Sequence, residues 1–452
     1  MPRRAVAFIM GEGLLIFAAT WAAHVLLRGI PFGGDQLALL ARSAVVTVVF
    51  QLALYYFDLY EFHTRQRLSD MAVQITQAWG AACIALGVIY AMVPATIISL
   101  RFFITGLVIA YAAVLLWRAV YVMAIEHRVL TRRVLVLGSG EQAERIVAKL
   151  EEIRDSGYAV VAQVGDGVVP RRMASEAMLY TEPVSLSEIV RRQRVEEVVV
   201  ALDERRGRMP VRELMECKLA GRQVTTGVSF FEGLTGTIPV ENMSPSWLIF
   251  SDGFRRNRRV GLAKRLADVV LSLVGLVLAL PVLLLSALLI KLESRGPVFY
   301  RQTRVGLRGA DFEVVKFRSM REDAERDGPA WAVQDDPRVT RYGAFMRKTR
   351  IDELPQLWNI LRQDMSFVGP RPERPAFVRQ LEAKLPYYSL RHTIRPGLTG
   401  WAQINYPYGA SEEDALRKLE YDLYYVKNMN IFMDAIIILR TIKTVLFRKG
   451  GR

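Results

Sequence analysis

Cysteine is nearly missing from this sequence. Its 452 residues contain two cysteines. Cys83 lies in an apolar run and Cys217 in a charged stretch, so a disulfide framework is not expected and no metal site is assigned to them. Reducing conditions are therefore compatible with this chain.

Acidic residues are outnumbered as well. Lys and Arg total 60 against 45 Asp and Glu, which gives a formal net charge of +15. Such an excess can indicate nucleic acid, anionic lipid or a phosphorylated substrate. Here the cationic residues alternate with apolar runs of membrane length and are not gathered in one soluble domain. We therefore expect a membrane and an anionic substrate as partners, and no nucleic acid.

A cleavable leader is also not evident. The apolar run from Ala5 to Leu27 has no persuasive cleavage site, and three more runs of spanning length follow, so we interpret it as a retained anchor. Their flanks alternate between cationic and uncharged. By the positive-inside rule, residues 1–128 are predicted to form a four-helix transmembrane bundle with both ends in the cytoplasm.

Residues 129–254 have the alternation of a soluble α/β domain. Arg133 to Ala143 is typical of a strand, a glycine turn and a helix, and further strands are predicted at 160–164 and 198–201. This pattern predicts a Rossmann-like cytoplasmic domain.

The glycine turn of that domain leaves its ligand open. Gly138-x-Gly140-x-x-Ala143 could hold a dinucleotide pyrophosphate at the helix start, but the same pattern occurs wherever a helix packs tightly on a strand. Asp166 is the nearest candidate for a ribose contact. A nucleotide-binding membrane sensor or oxidoreductase built on this turn is the alternative function.

A fifth apolar run, Val269 to Ile290, has basic residues on both flanks. A plain transmembrane helix would place one cationic flank outside the cell. Because Pro281 removes a helical hydrogen bond and can bend the segment back, we predict a re-entrant helix hairpin over residues 266–290. The carbonyls that this bend would free need partners.

Cationic side chains recur beyond this segment. Paired strands are predicted at 298–304 and 312–320, and Lys316 and Arg318 share a face of the second strand, which suits a diphosphate or, equally, a solvated cationic face. Arg371 is held between two prolines, where its guanidinium can bind phosphate at low entropic cost. Arg395 and Gln403 lie on a glycine-turned loop that turn chemistry alone could explain.

Asp352 and Glu353 are adjacent carboxylates at a predicted helix start, close to Arg347. One interpretation is a helix cap, since an Asp there accepts backbone N–H groups. The other is phosphoryl chemistry, because aligned donors and a partial positive charge favour a phosphoryl group that Asp352 attacks.

Five motifs in order decide between these interpretations: Lys316-Phe-Arg-Ser-Met320, Asp336-Pro-Arg-Val-Thr340, Asp352-Glu-Leu-Pro-Gln356, Val368-Gly-Pro-Arg-Pro372 and Pro396-Gly-Leu-Thr-Gly-Trp-Ala-Gln-Ile-Asn405. Together they resemble the catalytic domain of the bacterial polyprenyl-phosphate hexose-1-phosphate transferases, the monotopic phosphoglycosyl transferases. Residues 1–254 are similar to the large members in architecture only. Two features depart from the family pattern: Leu280-Pro281 replaces a frequent Ser-Pro, and Arg350 adds charge near the acidic pair.

The resemblance implies a membrane α/β protein whose catalytic domain, residues 255–452, faces the cytoplasm at the bacterial inner membrane. It implies transfer of a sugar 1-phosphate, of glucose or galactose, from a UDP-sugar to undecaprenyl phosphate with release of UMP. Asp352 would be the nucleophile and Glu353 the ligand of Mg²⁺, while Lys316, Arg318, Arg347, Arg371, Arg395 and Gln403 would bind substrate. A homodimer is compatible with it, and a fragment from near Arg255 is expected to keep the chemistry.

Two further classes of function remain open from the sequence. A glycosyltransferase that makes a glycosidic bond would release UDP in place of UMP. A membrane scaffold without activity would leave Asp352 and Glu353 with no role. The sequence does not name the sugar, the ligand of the Rossmann-like domain or the oligomeric state.

Overall fold

A computed structural model describes residues 3–28, 34–60, 68–126, 131–153, 157–165, 177–180, 185–203, 209–243, 245–254, 257–321, 338–406, 409 and 411–446. Two residues singled out in the sequence, Asp166 and Asp336, lie outside these ranges. The same holds for cationic positions at 61–67 and 127–130.

The chain divides into two compact units, Met1–Leu234 and Thr235–Arg452. The division falls before residue 255, where the catalytic domain was predicted to begin, and the predicted domain boundaries stay predictions. Each unit is described here by itself.

Four long apolar helices begin the first unit. They are α1 (Arg3–Arg28), α2 (Gly34–Tyr56), α3 (Leu68–Met92) and α4 (Leu100–Glu126). All four are long and apolar enough to cross a membrane, and they contribute to one shared hydrophobic core. Within it, Arg118 of α4 donates to both carboxylate oxygens of Glu12 of α1 at 2.7 and 2.9 Å. This buried ion pair has complementary charges and two direct hydrogen bonds, as a charged group in an apolar core requires.

A five-stranded sheet follows in the first unit. Its elements are β1 (Arg132–Leu137), α5 (Glu141–Glu152), β2 (Tyr158–Val164), β3 (Met178–Tyr180), α6 (Leu186–Arg192), β4 (Glu197–Val200), α7 (Val211–Leu219), β5 (Gln223–Thr226) and α8 (Gly227–Thr235). The strands pair in parallel in the order β3-β2-β1-β4-β5. Every residue of β4 is buried, as expected for a strand covered on both faces. The membrane α/β class predicted from the sequence is confirmed at this level.

The second unit contains α9 (Pro245–Phe250), α10 (Arg258–Glu293), β6 (Phe299–Val305), β7 (Asp311–Phe317), α11 (Arg341–Thr349), α12 (Gln356–Leu361), β8 (Ser366–Val368), α13 (Pro375–Lys384), β9 (Gly397–Thr399), α14 (Trp401–Asn405), α15 (Glu412–Asn428) and α16 (Ile431–Leu446). The antiparallel pair β6 and β7 matches the predicted strand pair closely. The parallel pair β8 and β9 joins the Arg371 loop to the chain that leads into α14. Gln403, predicted to lie on a loop, lies in this helix.

Residues 235–243 pack inside the second unit. Ile238 and Val240 are 0 and 1 % exposed, and the Ile238 N–H donates to the Glu420 carbonyl of α15 at 3.1 Å. The Trp401 indole donates to the Gly236 carbonyl at 2.8 Å. This segment is therefore part of the core beneath α14 and α15.

Helix α10 is continuous over 36 residues and includes Pro281. Its first turns are fixed by Lys264, which donates to Asp434 of α16 at 2.7 Å, and by Asp268, which accepts from the Phe367 N–H at 3.0 Å. Its last turn is fixed by Glu293, which accepts from the Tyr342 N–H at 3.1 Å. Both ends of the helix thus contact the same unit.

Candidate active site

The acidic pair lies in a short 3₁₀ turn between two helices. Helix α11 ends at Arg350, whose φ of 59° places it in the left-handed region that terminates a helix. The turn Ile351–Glu353 follows directly, and Pro355 precedes α12. The end of α11 at this left-handed residue and the 3₁₀ turn that follows place both carboxylates on one short segment between two helices.

Asp352 has the environment of a reactive carboxylate and not of a helix cap. It is 8 % exposed, and among the described residues no donor lies within hydrogen-bonding distance of its Oδ1 atom. Burial and the neighbouring charge of Glu353 raise the pKa of Asp352 to about 6, while Lys316, Arg350 and Arg347 oppose the rise. A capping carboxylate would accept backbone N–H groups, so this geometry favours the second interpretation.

Glu353 is surrounded by cations. Its Oε1 atom accepts from Lys316 Nζ at 3.2 Å and from Arg371 at 3.3 Å, and Arg350 lies 3.6 Å away. Burial alone would raise the pKa of Glu353, but Lys316, Arg371 and Arg350 together hold it well below its ordinary value. Burial and the nearby Arg371 in turn lower the pKa of Lys316, against the opposing effect of Glu353. The pKa values of the two neighbouring carboxylates are thus shifted in opposite directions, which is the usual arrangement where their roles differ.

Asn359 fixes the position of this turn relative to the strand that carries Lys316. Its side chain is 1 % exposed, accepts from the Val315 N–H at 3.0 Å and donates to the Glu313 carbonyl at 2.7 Å. The buried amide of Asn359 therefore supplies hydrogen-bond partners for two backbone groups of β7 and holds α12 against this strand.

Arg391 supports the loop that presents Arg371. Its guanidinium is buried, donates to the Arg371 carbonyl at 3.0 Å and pairs with Asp422 of α15 at 2.7 Å. Tyr388 accepts a third hydrogen bond from it at 2.7 Å. Sequence reasoning missed this cluster, because Arg391 and Asp422 lie far apart in the chain.

The other predicted substrate-binding residues differ in their surroundings. Arg318 is buried and donates to the carbonyls of Ser294 and Arg295 at 3.0 and 2.7 Å. Its guanidinium thus closes the end of α10 and does not join Lys316 at Glu353. Two residues two apart on a strand share a face, but side-chain rotation still decides where their charged ends lie.

Arg347, Arg395 and Gln403 are also held by the protein. Arg347 donates to the Ser319 hydroxyl at 2.9 Å and contributes positive charge at Asp352. Arg395 donates to the Gln363 carbonyl at 2.8 Å. Gln403 donates to the Leu398 carbonyl at 3.4 Å, and among the described residues its buried Oε1 atom has no donor. Lys316, Arg371 and Arg347 are therefore the predicted cations that the structure brings to the acidic pair.

The acidic pair fits a magnesium ion only with help from a substrate. Within the described ranges, no group of three or more His, Cys, Asp or Glu residues could hold a metal. Mg²⁺ is commonly bound by one or two carboxylates together with substrate phosphates and water. The carboxylate of Glu353 meets that requirement, provided that the substrate phosphates and water supply the remaining oxygens.

Comparison with known proteins identifies two matching families and several relatives. Residues 259–448 match a family model described as bacterial sugar transferase, and residues 55–218 match one described as CoA-binding domain. The chain is 41% identical over 241 residues to a UDP-N-acetylgalactosamine-undecaprenyl-phosphate N-acetylgalactosaminephosphotransferase of Aeromonas hydrophila, covering 53% of this chain and 56% of the relative.

Two relatives carry the name UDP-glucose:undecaprenyl-phosphate glucose-1-phosphate transferase. The protein of Caulobacter vibrioides is 46% identical over 191 residues, covering 41% of this chain and 71% of the relative. That of Escherichia coli is 44% identical over 183 residues, covering 40% of this chain and 39% of the relative. The chain thus spans less than two thirds of the Aeromonas and Escherichia relatives.

Proposed function

The chain belongs to the bacterial sugar transferase family, and from this premise we propose that it transfers a sugar 1-phosphate from a UDP-sugar to undecaprenyl phosphate. The observation that carries this proposal is the buried Asp352 carboxylate, with its unpartnered Oδ1 atom beside a carboxylate held by three cations. The reaction is the first step of exopolysaccharide or O-antigen synthesis.

The proposed reaction has two displacements at one phosphorus atom. An oxygen of Asp352 attacks the phosphorus that bears the sugar, a P–O bond forms, and the bond to UMP breaks so that UMP leaves with the electron pair. An oxygen of undecaprenyl phosphate then attacks the same phosphorus and displaces Asp352. The lipid diphosphate sugar leaves, and the free carboxylate is restored.

The cations around Glu353 would stabilise the phosphates in both steps. Lys316, Arg371 and Arg350 all lie within 3.6 Å of one oxygen of Glu353. An incoming diphosphate offers these side chains more negative charge than one carboxylate does, so we propose that they turn from Glu353 to the phosphate oxygens. Arg347 supplies further positive charge at Asp352.

We further propose that Glu353 holds Mg²⁺ jointly with the substrate phosphates. The ion would offset the repulsion between the Asp352 carboxylate and a dianionic diphosphate. Glu353 suits this role because its pKa is held low and it stays charged at every physiological pH.

The membrane arrangement that we propose is re-entrant. Lys264 and Glu293 contact Asp434 and Tyr342, which belong to one unit, and this supports placing the two flanks of α10 on one side of the membrane. Only 11% of the most apolar part of α10 is buried within the protein, and we propose that lipid contacts the exposed remainder. With the cationic flanks this favours a catalytic unit that faces the cytoplasm, in a chain whose four N-terminal helices are proposed to form a transmembrane bundle in the inner membrane.

One assay tests the proposed function. Purified protein with undecaprenyl phosphate and Mg²⁺ is given a panel of UDP-sugars, with UDP-glucose and UDP-galactose first and UDP-N-acetylgalactosamine included because of the Aeromonas relative. We expect UMP release with one of them. Release of UDP would identify a glycosidic transfer, and no release of either nucleotide with any sugar would contradict the proposal.

A further inference from the structure

The glycine turn of the first unit already holds an anion of its own. Asp203 lies just beyond β4, and its carboxylate reaches the start of α5 after the turn Gly138–Gly140. Its Oδ2 atom accepts from the Glu141 N–H at 2.9 Å, and its Oδ1 atom accepts from the Gln142 N–H at 3.3 Å. These are free N–H groups of a helix start, the donors that hold the diphosphate in dinucleotide-binding folds.

Both glycines of the turn are explained by contacts within the protein. Gly138 has a φ of +135°, and a Cβ atom there would lie 2.3 Å from the Ala201 carbonyl oxygen. A Cβ atom on Gly140 would lie 1.9 Å from Oδ2 of Asp203. In nucleotide-binding folds such glycines allow the backbone to approach a pyrophosphate. Here the two glycines allow the Ala201 carbonyl, just beyond β4, and the Asp203 carboxylate to lie close to the backbone of the turn. The motif therefore does not require a ligand.

The charge at this helix start opposes a second anion. Glu141 and Glu144 occupy the first turn of α5, and Asp203 adds a third carboxylate. Glu141 pairs with Arg145 at 2.8 Å, so that cation is already partly neutralised. A diphosphate would have to displace Asp203 and approach the remaining carboxylates.

We propose that Asp203 occupies the diphosphate position of the glycine turn, so that this turn does not hold coenzyme A or a dinucleotide, although residues 55–218 match the CoA-binding domain. The carboxylate caps α5 in place of a ligand. Removing it should open an anion site at the start of α5. This inference does not depend on the function proposed for the second unit.

The test compares the full-length protein with its Asp203→Asn and Asp203→Ala variants in lipid nanodiscs. Each is given coenzyme A, NAD⁺ and inorganic pyrophosphate, binding is measured by calorimetry, and hydrogen exchange of the peptide containing residues 138–145 shows where the ligand lies. We expect no ligand-dependent protection of this peptide in the wild type. In Asp203→Ala we expect protection and at least tenfold tighter pyrophosphate binding, with a smaller gain in Asp203→Asn.

Measurements on the wild type alone test whether the glycine turn binds coenzyme A or a dinucleotide. Protection of residues 138–145 by coenzyme A or NAD⁺ in the wild type would overturn it, whatever the variants do. A folded Asp203→Ala protein that bound no pyrophosphate would also overturn it, because the turn would then not be a masked anion site. Unchanged slow hydrogen exchange of the buried strand β4, Glu197–Val200, identifies variants whose first unit is folded. If Asp203→Ala fails this control, the neutral Asp203→Asn protein serves for the same comparison.

Discussion

Asp203 in the first unit and Asp352 in the second are both aspartates beside the start of a helix, but among the described residues their hydrogen bonding differs. Asp203 accepts two backbone N–H groups. Asp352 is 8 % exposed, and among the described residues its Oδ1 atom accepts none. A carboxylate whose oxygens accept hydrogen bonds stabilises the fold, whereas a buried and unpartnered one is costly unless it has another role.

The same contrast explains why similar motifs differ in meaning. Glycine turns and acidic residues at helix starts are common, and each has a structural explanation that needs no ligand. What separates the two sites is the surrounding charge. Asp203 adjoins the acidic first turn of α5, whereas Lys316, Arg350 and Arg347 act on Asp352.

Neutralising Asp352 should therefore abolish catalysis, whereas neutralising Asp203 should leave the catalytic rate nearly unchanged. We expect Asp352→Asn to lower sugar phosphate transfer by at least roughly a thousandfold, because an amide cannot act as the nucleophile. Asp203→Asn should leave the rate within about twofold, because Asp203 has no contact with the reacting groups in this proposal. UMP release measures both.

A labelled covalent adduct provides the control. Incubation with radiolabelled UDP-sugar but without the lipid should label the wild type and Asp203→Asn, and not Asp352→Asn. An adduct on Asp352→Asn would show that another residue is the nucleophile.

Truncation tests which residues the catalytic unit needs. A fragment that begins at Thr235 should fold and transfer sugar phosphate. One that begins at Arg255, which was expected from the sequence to keep the chemistry, should be unstable because it lacks residues buried in the unit. The shorter fragment lacks Ile238 and Val240, two fully buried side chains that contribute about 1.5–3 kcal/mol each, which is a large part of a typical folding free energy.

Thermal melting and UMP release of both fragments measure this difference. The matched control is Ile238→Ala in the longer fragment, which should show part of the loss. Equal melting temperatures for the two fragments would mean that residues 235–254 contribute nothing to the unit.

We expect the ionisation of Asp352 to determine how the catalytic rate changes with pH. Because burial raises the pKa of Asp352 to about 6, its reactive anion is lost as the pH falls below that value. We expect kcat/KM for the UDP-sugar to fall about tenfold per pH unit below pH 6 and to be level from pH 7 to 8. The profile of Asp203→Asn should coincide with it. A constant rate down to pH 4.5 would contradict the raised pKa.

The smallest expected effect is on the free energy of unfolding. It should rise in Asp352→Asn and fall in Asp203→Ala. A carboxyl group whose pKa rises from 3.8 to about 6 on folding destabilises the folded protein above pH 6, and this penalty disappears as the pH falls toward 4. Asp352→Asn should thus be more stable than the wild type by roughly 3 kcal/mol at pH 8 and by little at pH 4. Asp203→Ala should be less stable by about 1 kcal/mol, the usual cost of losing a cap.

Melting curves at both pH values provide this measurement. The first unit and the second must be followed separately, since two units need not unfold together. Destabilisation by Asp352→Asn at pH 8 would show that the carboxylate has a stabilising partner after all.

The sequence predicted local structure well, because strands and helices follow from short-range patterns. Alternation over β6 and β7 and the glycine turn after β1 needed no knowledge of distant residues. The order of five motifs also identified the acidic pair. The position of Arg318 was not predictable, because its partners at Ser294 and Arg295 depend on how α10 ends.

Long-range polar contacts account for the other omissions. Arg391 pairs with Asp422, and Asp203 reaches Glu141, through the packing of elements far apart in the chain. No local pattern identifies such residues, since the type of a charged residue does not show whether its side chain is buried or exposed. The predicted contact of Gly138–Ala143 with a nucleotide could not be weighed without the position of Asp203.

The attachment of both ends of α10 to one unit has a consequence for how the lipid substrate is found. A catalytic surface held flat against a bilayer meets its acceptor by lateral diffusion, so the encounter rate depends on how many acceptor molecules each patch of membrane contains. Adding inert phospholipid at constant total acceptor should then slow transfer as strongly as removing acceptor does. Under the proposed membrane arrangement, we expect the transfer rate to follow the surface density of the acceptor and not its amount per volume of the cell.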